Sequence, residues 1–136
     1  MTEEELIAAA RAAAARAYAP YSKFAVGCAV ESVAGEVAVG ANVENACFPL
    51  GLCAEQAALA AAQVAFGLDQ VARIALVALA GNSPVTPCGG CRQAILEAAQ
   101  LSGIDIDIIC AAPDRTERHT IAALLPHCFG PDHLIA

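Results

Sequence analysis

The sequence is poor in charged and aromatic residues and contains no tryptophan. Aromatic side chains make up 4% of the 136 residues and charged side chains 15%, with a formal net charge of −7. Lys23 is the single lysine. A protein that follows a nucleic-acid strand needs a basic stripe against the phosphates, so the sequence predicts no nucleic-acid polymer as a partner. A small molecule that is uncharged or cationic fits this charge better.

Long apolar runs are also missing. No apolar stretch reaches the roughly 18 residues that a membrane-spanning helix needs, and the acidic start, with Glu3, Glu4 and Glu5, predicts no signal peptide. We therefore expect a cytoplasmic protein without a membrane partner. In a reducing compartment an odd number of cysteines is typical of thiols and metal ligands rather than disulfides. The seven cysteines are Cys28, Cys47, Cys53, Cys88, Cys91, Cys110 and Cys128.

Small apolar residues dominate what is present. Hydrophobic residues make up 58% of the chain, and many of them are alanine. A chain of this length can bury a core without disulfides and predicts a single domain over residues 1–136. Because charge is scarce, we expect part of the apolar surface to be buried between the subunits of an oligomer.

The hydrophobic pattern predicts the order helix, hairpin, helix, strand, helix, strand. Helices are predicted from Thr2, which forms a capping box with Glu5, to about Ala17, from about Cys53 to Phe66, and from Cys88 or Gly89 to about Leu101. Strands are predicted at 25–33, 36–41, 74–80, 104–110 and, more briefly, 118–121, before a helical turn at 122–125. A hairpin joined to strand–helix–strand units predicts an α/β fold with three α-β-α layers and a mixed sheet of about five strands.

Two short cysteine segments carry the chemistry. Cys88 and Cys91 are three residues apart at the start of one predicted helix, and Cys53 begins another. Helix N-termini favour thiolates, and three thiolates with a fourth position open for water are typical of a catalytic zinc site. Glu55, two residues after Cys53, is placed to move protons rather than to bind metal. Two alternatives are a closed structural zinc site, which needs a fourth ligand, and a redox pair, which needs no Glu55.

These segments resemble the zinc-dependent nucleobase deaminases, and more narrowly the small homotetrameric cytidine deaminases. The resemblance covers nearly the whole chain. The motifs that carry it are Tyr18-Ala19-Pro20-Tyr21-Ser22-x-Phe24-x-Val26-Gly27, Gly40-x-Asn42-Val43-Glu44-Asn45-Ala46, Cys53-Ala54-Glu55, Pro87-Cys88-Gly89-x-Cys91-Arg92-Gln93 and Leu124-Leu125-Pro126-x-x-Phe129-Gly130-Pro131.

The resemblance implies hydrolytic deamination of cytidine and 2′-deoxycytidine to uridine and 2′-deoxyuridine plus ammonia, a step of pyrimidine salvage. It implies one Zn²⁺ per subunit and a homotetramer whose sites are completed across subunits. The ligands implied are Cys53, Cys88 and Cys91, with Glu55 as the residue that transfers protons. The substrate contacts implied are Asn42 and Glu44 with the ribose hydroxyls, Phe24 as an apolar wall, the Ala54 amide with the base carbonyl, Phe48 near the sugar, and Phe129 over the base of a neighbouring subunit.

The chain departs from the family pattern beside the catalytic glutamate. Gln56 stands where the family usually has Arg, and Phe48 stands where it often has Tyr. Three thiolates and one Zn²⁺ carry a formal charge of −1, which a neutral Gln56 does not offset. We hypothesise that Arg92 and the two helix N-termini supply the balance.

Three other functions stay open on the sequence. One is deamination of another aminated heterocycle, such as blasticidin S, which the missing Arg allows. A second is a nucleic-acid-editing deaminase, which the net charge disfavours. The third is a non-catalytic zinc protein used for assembly, which the presence of Glu55 disfavours. Outside the site, Cys28 and Cys47 are interpreted as small core residues, with a reactive thiol as the alternative for Cys47.

Overall fold

The computed structural model describes residues 1–135 and is built on a five-stranded mixed sheet. The strands are β1 (Val26–Ser32), β2 (Val37–Ala41), β3 (Val71–Ala78), β4 (Asp107–Ala111) and β5 (Thr116–Thr120). Their order across the sheet is β2-β1-β3-β4-β5. Strand β1 pairs antiparallel with β2 and β3, β3 pairs parallel with β4, and β4 pairs antiparallel with β5. The predicted mixed sheet of about five strands is confirmed.

Helices cover both faces of this sheet. The four α-helices are α1 (Glu3–Ala14), α2 (Ala54–Ala65), α3 (Gly89–Ser102) and the short α4 (Ile121–Leu124). Side chains of β1 alternate between the faces, as a strand requires: Ala29 packs with α1, whereas Cys28 and Val30 pack with α2 and α3. The three predicted α-β-α layers are therefore present. Within residues 1–135, no helix combines the length and the apolar composition needed to cross a bilayer.

Two predicted boundaries near the first helix and the third strand were wrong by three residues. Helix α1 ends at Ala14 rather than near Ala17 because the next residues form tighter turn bonds and Tyr18 then pairs with the loop after β2, donating its N–H to the Asn42 carbonyl at 3.0 Å. Strand β3 begins at Val71 rather than residue 74 because Val71 pairs with Ser32. Long-range pairing decides both ends, and no local pattern reports it.

The boundaries near the C-terminal strands also differ from those predicted. Strand β4 begins at Asp107 instead of residue 104. Strand β5 spans 116–120 instead of 118–121, because Thr120 caps α4 and accepts a hydrogen bond from the Ala123 amide at 3.2 Å. Ile121 thus starts the helix, one residue before the predicted turn.

Two glycines let helix backbones touch the sheet. A Cβ added at Gly27 in β1 would lie 1.9 Å from the Ala10 carbonyl oxygen and 2.4 Å from the Ala14 nitrogen of α1. A Cβ at Gly40 in β2 would lie 2.4 Å from the Ala58 nitrogen of α2. These distances are below any real van der Waals contact, so the alanine-rich helices pack against the sheet at backbone distance. The close approach at Gly40 fixes the position of α2, whose N-cap is Cys53.

We predict that Gly27→Ala lowers the free energy of unfolding by about 3 kcal/mol or more, because the new methyl group meets rigid helix backbone rather than a movable side chain. Gly90→Ala is the matched control, since a Cβ there meets nothing within 4 Å and alanine favours a helix. Urea unfolding of both variants at equal protein concentration measures the difference. Equal stability of Gly27→Ala and the parent chain would contradict the packing described here.

Candidate active site and metal centre

The N-termini of α2 and α3 bring three cysteines together. Cys53 is the N-cap of α2, Cys88 is the N-cap of α3, and Cys91 lies in the first turn of α3. Their Sγ atoms all lie within 4.8 Å of one another. Sulfurs bound to one tetrahedral zinc ion at about 2.3 Å would be separated by about 3.8 Å, so this donor set fits zinc. In the described part of the chain no fourth ligating side chain joins the group, which leaves the closed four-ligand alternative without support.

The three thiols differ in how readily they ionise. Hydrogen bonds from the backbone amides of Cys91 and Gly90 lower the pKa of Cys88, as expected at a helix N-terminus. Burial raises the pKa of Cys53 and of Cys91 above the ordinary thiol range. For Cys53 and Cys91 desolvation opposes the effect of the helix N-terminus that is expected to favour thiolates. A bound metal ion would supply positive charge that favours their thiolate forms.

Glu55 is a buried carboxylate beside these thiols. It lies in the first turn of α2 with only 6% of its surface exposed. Burial raises its pKa above that of a solvated glutamate. A buried carboxylate of this kind differs from an ordinary solvated charge on a helix turn and is typical of a group that exchanges protons.

A cavity of about 290 Å³ contains the predicted centre. It brings the three cysteines and Glu55 together with four predicted substrate contacts, namely Phe24, Asn42, Glu44 and Ala54. These contacts come from the segment before β1, the loop after β2 and the start of α2. The cavity is therefore formed where two helix starts meet two connecting segments on the same face of the sheet.

The Asn42 and Glu44 side chains hold the segment that carries Phe24. The Asn42 amide accepts a hydrogen bond from the Val26 N–H at 2.9 Å and donates one to the Phe24 carbonyl at 2.8 Å. The Glu44 carboxylate accepts hydrogen bonds from the Tyr21 N–H at 3.0 Å, from the Ser22 N–H at 3.1 Å and from the Ser22 hydroxyl. The Ser22 hydroxyl bond lowers the pKa of Glu44, so this carboxylate is ionised.

Gln56 and Arg92, the two residues linked to charge balance at the metal centre, have different hydrogen-bond partners. The Gln56 side-chain amide donates to the Cys91 sulfur at 3.9 Å. Arg92 instead donates to the carbonyl oxygens of Pro87 and Leu124 at 2.7 and 3.0 Å. Within residues 1–135 it makes no hydrogen bond to a cysteine sulfur. The role of Arg92 in offsetting the thiolate charge stays a prediction. The side chain that contacts a cysteine sulfur is the neutral amide of Gln56.

Three residues singled out in the sequence lie outside the cavity. Phe48 is 74% exposed and lines a neighbouring cavity, where its ring contacts Tyr21 edge-on. Phe129 is 59% exposed and stacks on the His133 ring with centroids 4.9 Å apart. Cys47 was predicted to be a core residue and is exposed, because it precedes a short 3₁₀ helix at the surface. Cys28 is fully buried, as predicted.

Five further residues line the cavity and were not predicted as site residues: Ser22, Val26, Leu76, Val85 and Thr86. Ser22 and Val26 lie within a quoted motif, so their position beside Phe24 was a usable signal. Leu76 is one of several similar residues in an apolar strand, and nothing in the pattern distinguishes it. Thr86 directly precedes Pro87 and Cys88, and this position beside a metal ligand is the signal that could have identified it.

Comparisons with known proteins agree with this geometry. Residues 1–103 match the family model of the cytidine and deoxycytidylate deaminase zinc-binding region. A cytidine deaminase of Sporosarcina psychrophila is 37% identical over 140 residues, covering 98% of this chain and 96% of that protein. A cytidine deaminase of Mycobacterium tuberculosis H37Rv is 41% identical over 123 residues, covering 90% and 85%. The crystal structure of cytidine deaminase from Burkholderia pseudomallei superimposes with a TM-score of 0.86 at 39% identity, covering 95% of this chain and 100% of that one. The chain therefore belongs to the cytidine and deoxycytidylate deaminase family.

Proposed function

We propose that the chain is a zinc-dependent deaminase that hydrolyses cytidine and 2′-deoxycytidine to uridine and 2′-deoxyuridine with release of ammonia. The observation that carries this proposal is a single cavity that holds three sulfurs within 4.8 Å of one another and a buried carboxylate. A redox pair or an assembly site gives no reason to bury Glu55 in the same cavity. A reducing, cytoplasmic setting belongs to the proposal, since all seven cysteines are free.

The roles of the residues follow from their chemistry. Cys53, Cys88 and Cys91 hold one zinc ion, which when bound lowers the pKa of a water ligand towards neutrality. Glu55 accepts one proton of the attacking water and passes it to ring N3 as the water oxygen bonds to C4 of the base. It then accepts the remaining proton of that oxygen and passes it to the amine, so that the C4–N bond breaks and ammonia leaves. Its raised pKa suits both directions of transfer, because the acid and base forms are closer in energy near neutral pH. In this proposal the Ala54 N–H donates to the base carbonyl; the role is supported because Ala54 lines the cavity and its first-turn amide has no partner inside the helix.

The charge of the cavity favours a nucleoside over a nucleotide. Asn42 and Glu44 offer donors and acceptors to a sugar diol, and the ionised Glu44 repels a phosphate. Among the described residues, no lysine or arginine lines this cavity. A nucleoside monophosphate would therefore enter without a cation to neutralise it, which disfavours deoxycytidylate as the substrate.

We include a homotetramer in this proposal, with Phe129 completing the site of a neighbouring subunit. Large apolar side chains support it, since Phe48, Leu50 and Phe129 are 74, 68 and 59% exposed. Large exposed apolar side chains are typical of surfaces that a partner covers. In the single chain Phe129 does not reach the cavity, so its predicted role requires a second copy.

Glu55→Gln should abolish turnover and leave zinc bound. We expect kcat for cytidine to fall by about 100- to 10,000-fold, since an amide cannot transfer the protons, with one zinc per chain retained. Glu36→Gln is the matched control, because Glu36 is exposed in the β1–β2 turn. Ultraviolet absorbance follows cytidine, 2′-deoxycytidine, cytosine, CMP and blasticidin S. Zinc-loaded parent protein that converts none of them, or full activity of Glu55→Gln, would overturn the proposal.

Glu44→Gln should lower kcat/KM more for a substrate that has the 3′-hydroxyl than for one that lacks it. If Glu44 binds the 3′-hydroxyl, we expect kcat/KM for cytidine to fall about 10- to 100-fold, the effect of losing a hydrogen bond to a charged group. The same variant should change kcat/KM for 2′,3′-dideoxycytidine less than about threefold, because that substrate lacks the hydroxyl. Ser22→Ala is the control for the turn that Glu44 holds, and it should affect both substrates alike. Equal losses of kcat/KM on both substrates for Glu44→Gln would contradict binding of the 3′-hydroxyl and leave Glu44 only its role in holding the turn.

Mixed assemblies test the contribution of Phe129. Phe129→Ala and Glu55→Gln chains, each impaired alone, should regain about a quarter of parent activity when assembled together at a 1:1 ratio, because random mixing pairs intact residues from two chains at that frequency. Sedimentation should show a tetramer. Activity equal to the mean of the two separate variants, or an active monomer, would show that Phe129 does not complete a neighbour's site.

A further inference from the structure

The Arg92 guanidinium forms three hydrogen bonds in three directions. Its Nε donates to the Pro87 carbonyl at 2.7 Å, Nη1 to the Leu124 carbonyl at 3.0 Å, and Nη2 to the Thr86 hydroxyl at 3.2 Å. A planar guanidinium presents its donors in a fixed fork. The three acceptors are therefore held at defined positions relative to one another, and none of them is a cysteine sulfur.

Two of these acceptors belong to the loop that leads into a metal ligand. The loop of residues 79–87 connects β3 to Cys88, and Thr86 lines the cavity. At the start of this loop the Leu79 N–H donates to the Ala25 carbonyl at 3.0 Å. Within the described chain, the other hydrogen bonds between the loop and the remaining residues are the two from Arg92, so no strand pairing holds residues 80–87. Its last residue, Pro87, has no N–H with which to form one.

The backbone of Arg92 is fixed in the first turns of α3. Its backbone N–H donates to the Cys88 carbonyl at 2.9 Å in the first bonds of α3, directly after Cys91. The side chain thus returns from the helix to the loop before the same cysteine. The bond to Leu124 adds a third element, because this carbonyl lies at the end of α4.

We propose that Arg92 is a positioning residue that holds the Thr86–Pro87 loop and thereby places the Cys88 sulfur against those of Cys53 and Cys91. It acts through geometry, not through its charge on the thiolates. This inference rests on the proposed zinc site and not on the identity of the substrate. It assigns Arg92 a different role from the charge balance expected from the sequence.

Lysine separates the two roles. Arg92→Lys keeps the positive charge but carries one compact ammonium, which cannot reach three acceptors in the planar arrangement of the fork. If charge matters, Lys restores what Gln loses. If the fork matters, Arg92→Lys and Arg92→Gln are equally impaired. Arg16→Lys and Arg16→Gln are matched controls, because Arg16 is exposed and lies outside this site.

The experiment measures zinc affinity by competition with a chelator, alongside the absorption spectrum of the cobalt-loaded protein. We expect both Arg92 variants to bind zinc about 10- to 100-fold more weakly than the parent, as for residues that orient metal ligands, with similar values for Lys and Gln. The cobalt bands should shift in both variants, because they report the geometry of the thiolate ligands. Circular dichroism and thermal unfolding confirm that each variant is folded.

The remaining outcomes each decide the proposal. Parent-like affinity in Arg92→Lys with weakened affinity in Arg92→Gln would overturn it in favour of charge balance, and parent-like affinity in both would remove any role. If neither variant folds, Thr86→Val decides, since it removes one acceptor and keeps the shape. We expect a two- to fivefold weaker zinc affinity for Thr86→Val, because Arg92 loses one of its three acceptors and keeps the other two, and an unchanged value would overturn the proposal. A parent protein that binds zinc but converts no cytidine would refute the proposed function and leave this test intact.

Discussion

The meeting of two helix N-termini on one face of the sheet is the constraint on which the site depends. Cys53 and Cys88 cap these helices, so the distance between their sulfurs is set by how α2 and α3 pack. Gly40 lets α2 lie at backbone distance from β2, and a larger residue there would move Cys53. The separation of Cys53 and Cys88 is therefore set first by how the two helices pack on the sheet.

Electrostatics at this centre favour a cation. Burial raises the pKa values of Cys53, Cys91 and Glu55, so the site disfavours four negative charges without a metal. A bound divalent ion would reverse this for the thiols, because its positive charge favours their thiolate forms. Gln56 contributes only a neutral donor to the Cys91 sulfur. The negative charge of three thiolate ligands is therefore only weakly offset by neighbouring side chains. The positions of the ligands have to be fixed by packing and hydrogen bonds rather than by a nearby positive charge.

The sequence predicted the residues whose chemistry is unusual and missed those whose position is decided by packing. Three cysteines and Glu55 were identifiable because their spacing has few structural explanations, whereas the roles of Asn42 and Glu44 were implied by the resemblance to the family. Leu76 could not be distinguished from other strand residues, and Cys47 lies at the surface because a 3₁₀ helix follows it. The hydrogen bonds of Arg92 join residues up to 32 positions apart, and no local pattern reports such a distance. Element order was predicted for the same reason that element ends were not: periodicity is local, whereas strand pairing is not.

The central claim is that three thiolates hold one zinc ion and leave the fourth position to a small oxygen ligand. X-ray absorption at the zinc edge of the purified, zinc-loaded protein tests this most directly. The account predicts about three sulfurs at about 2.3 Å and one lighter oxygen ligand at about 2.0 Å from zinc. A shell of four sulfurs, or of two or fewer, would contradict it.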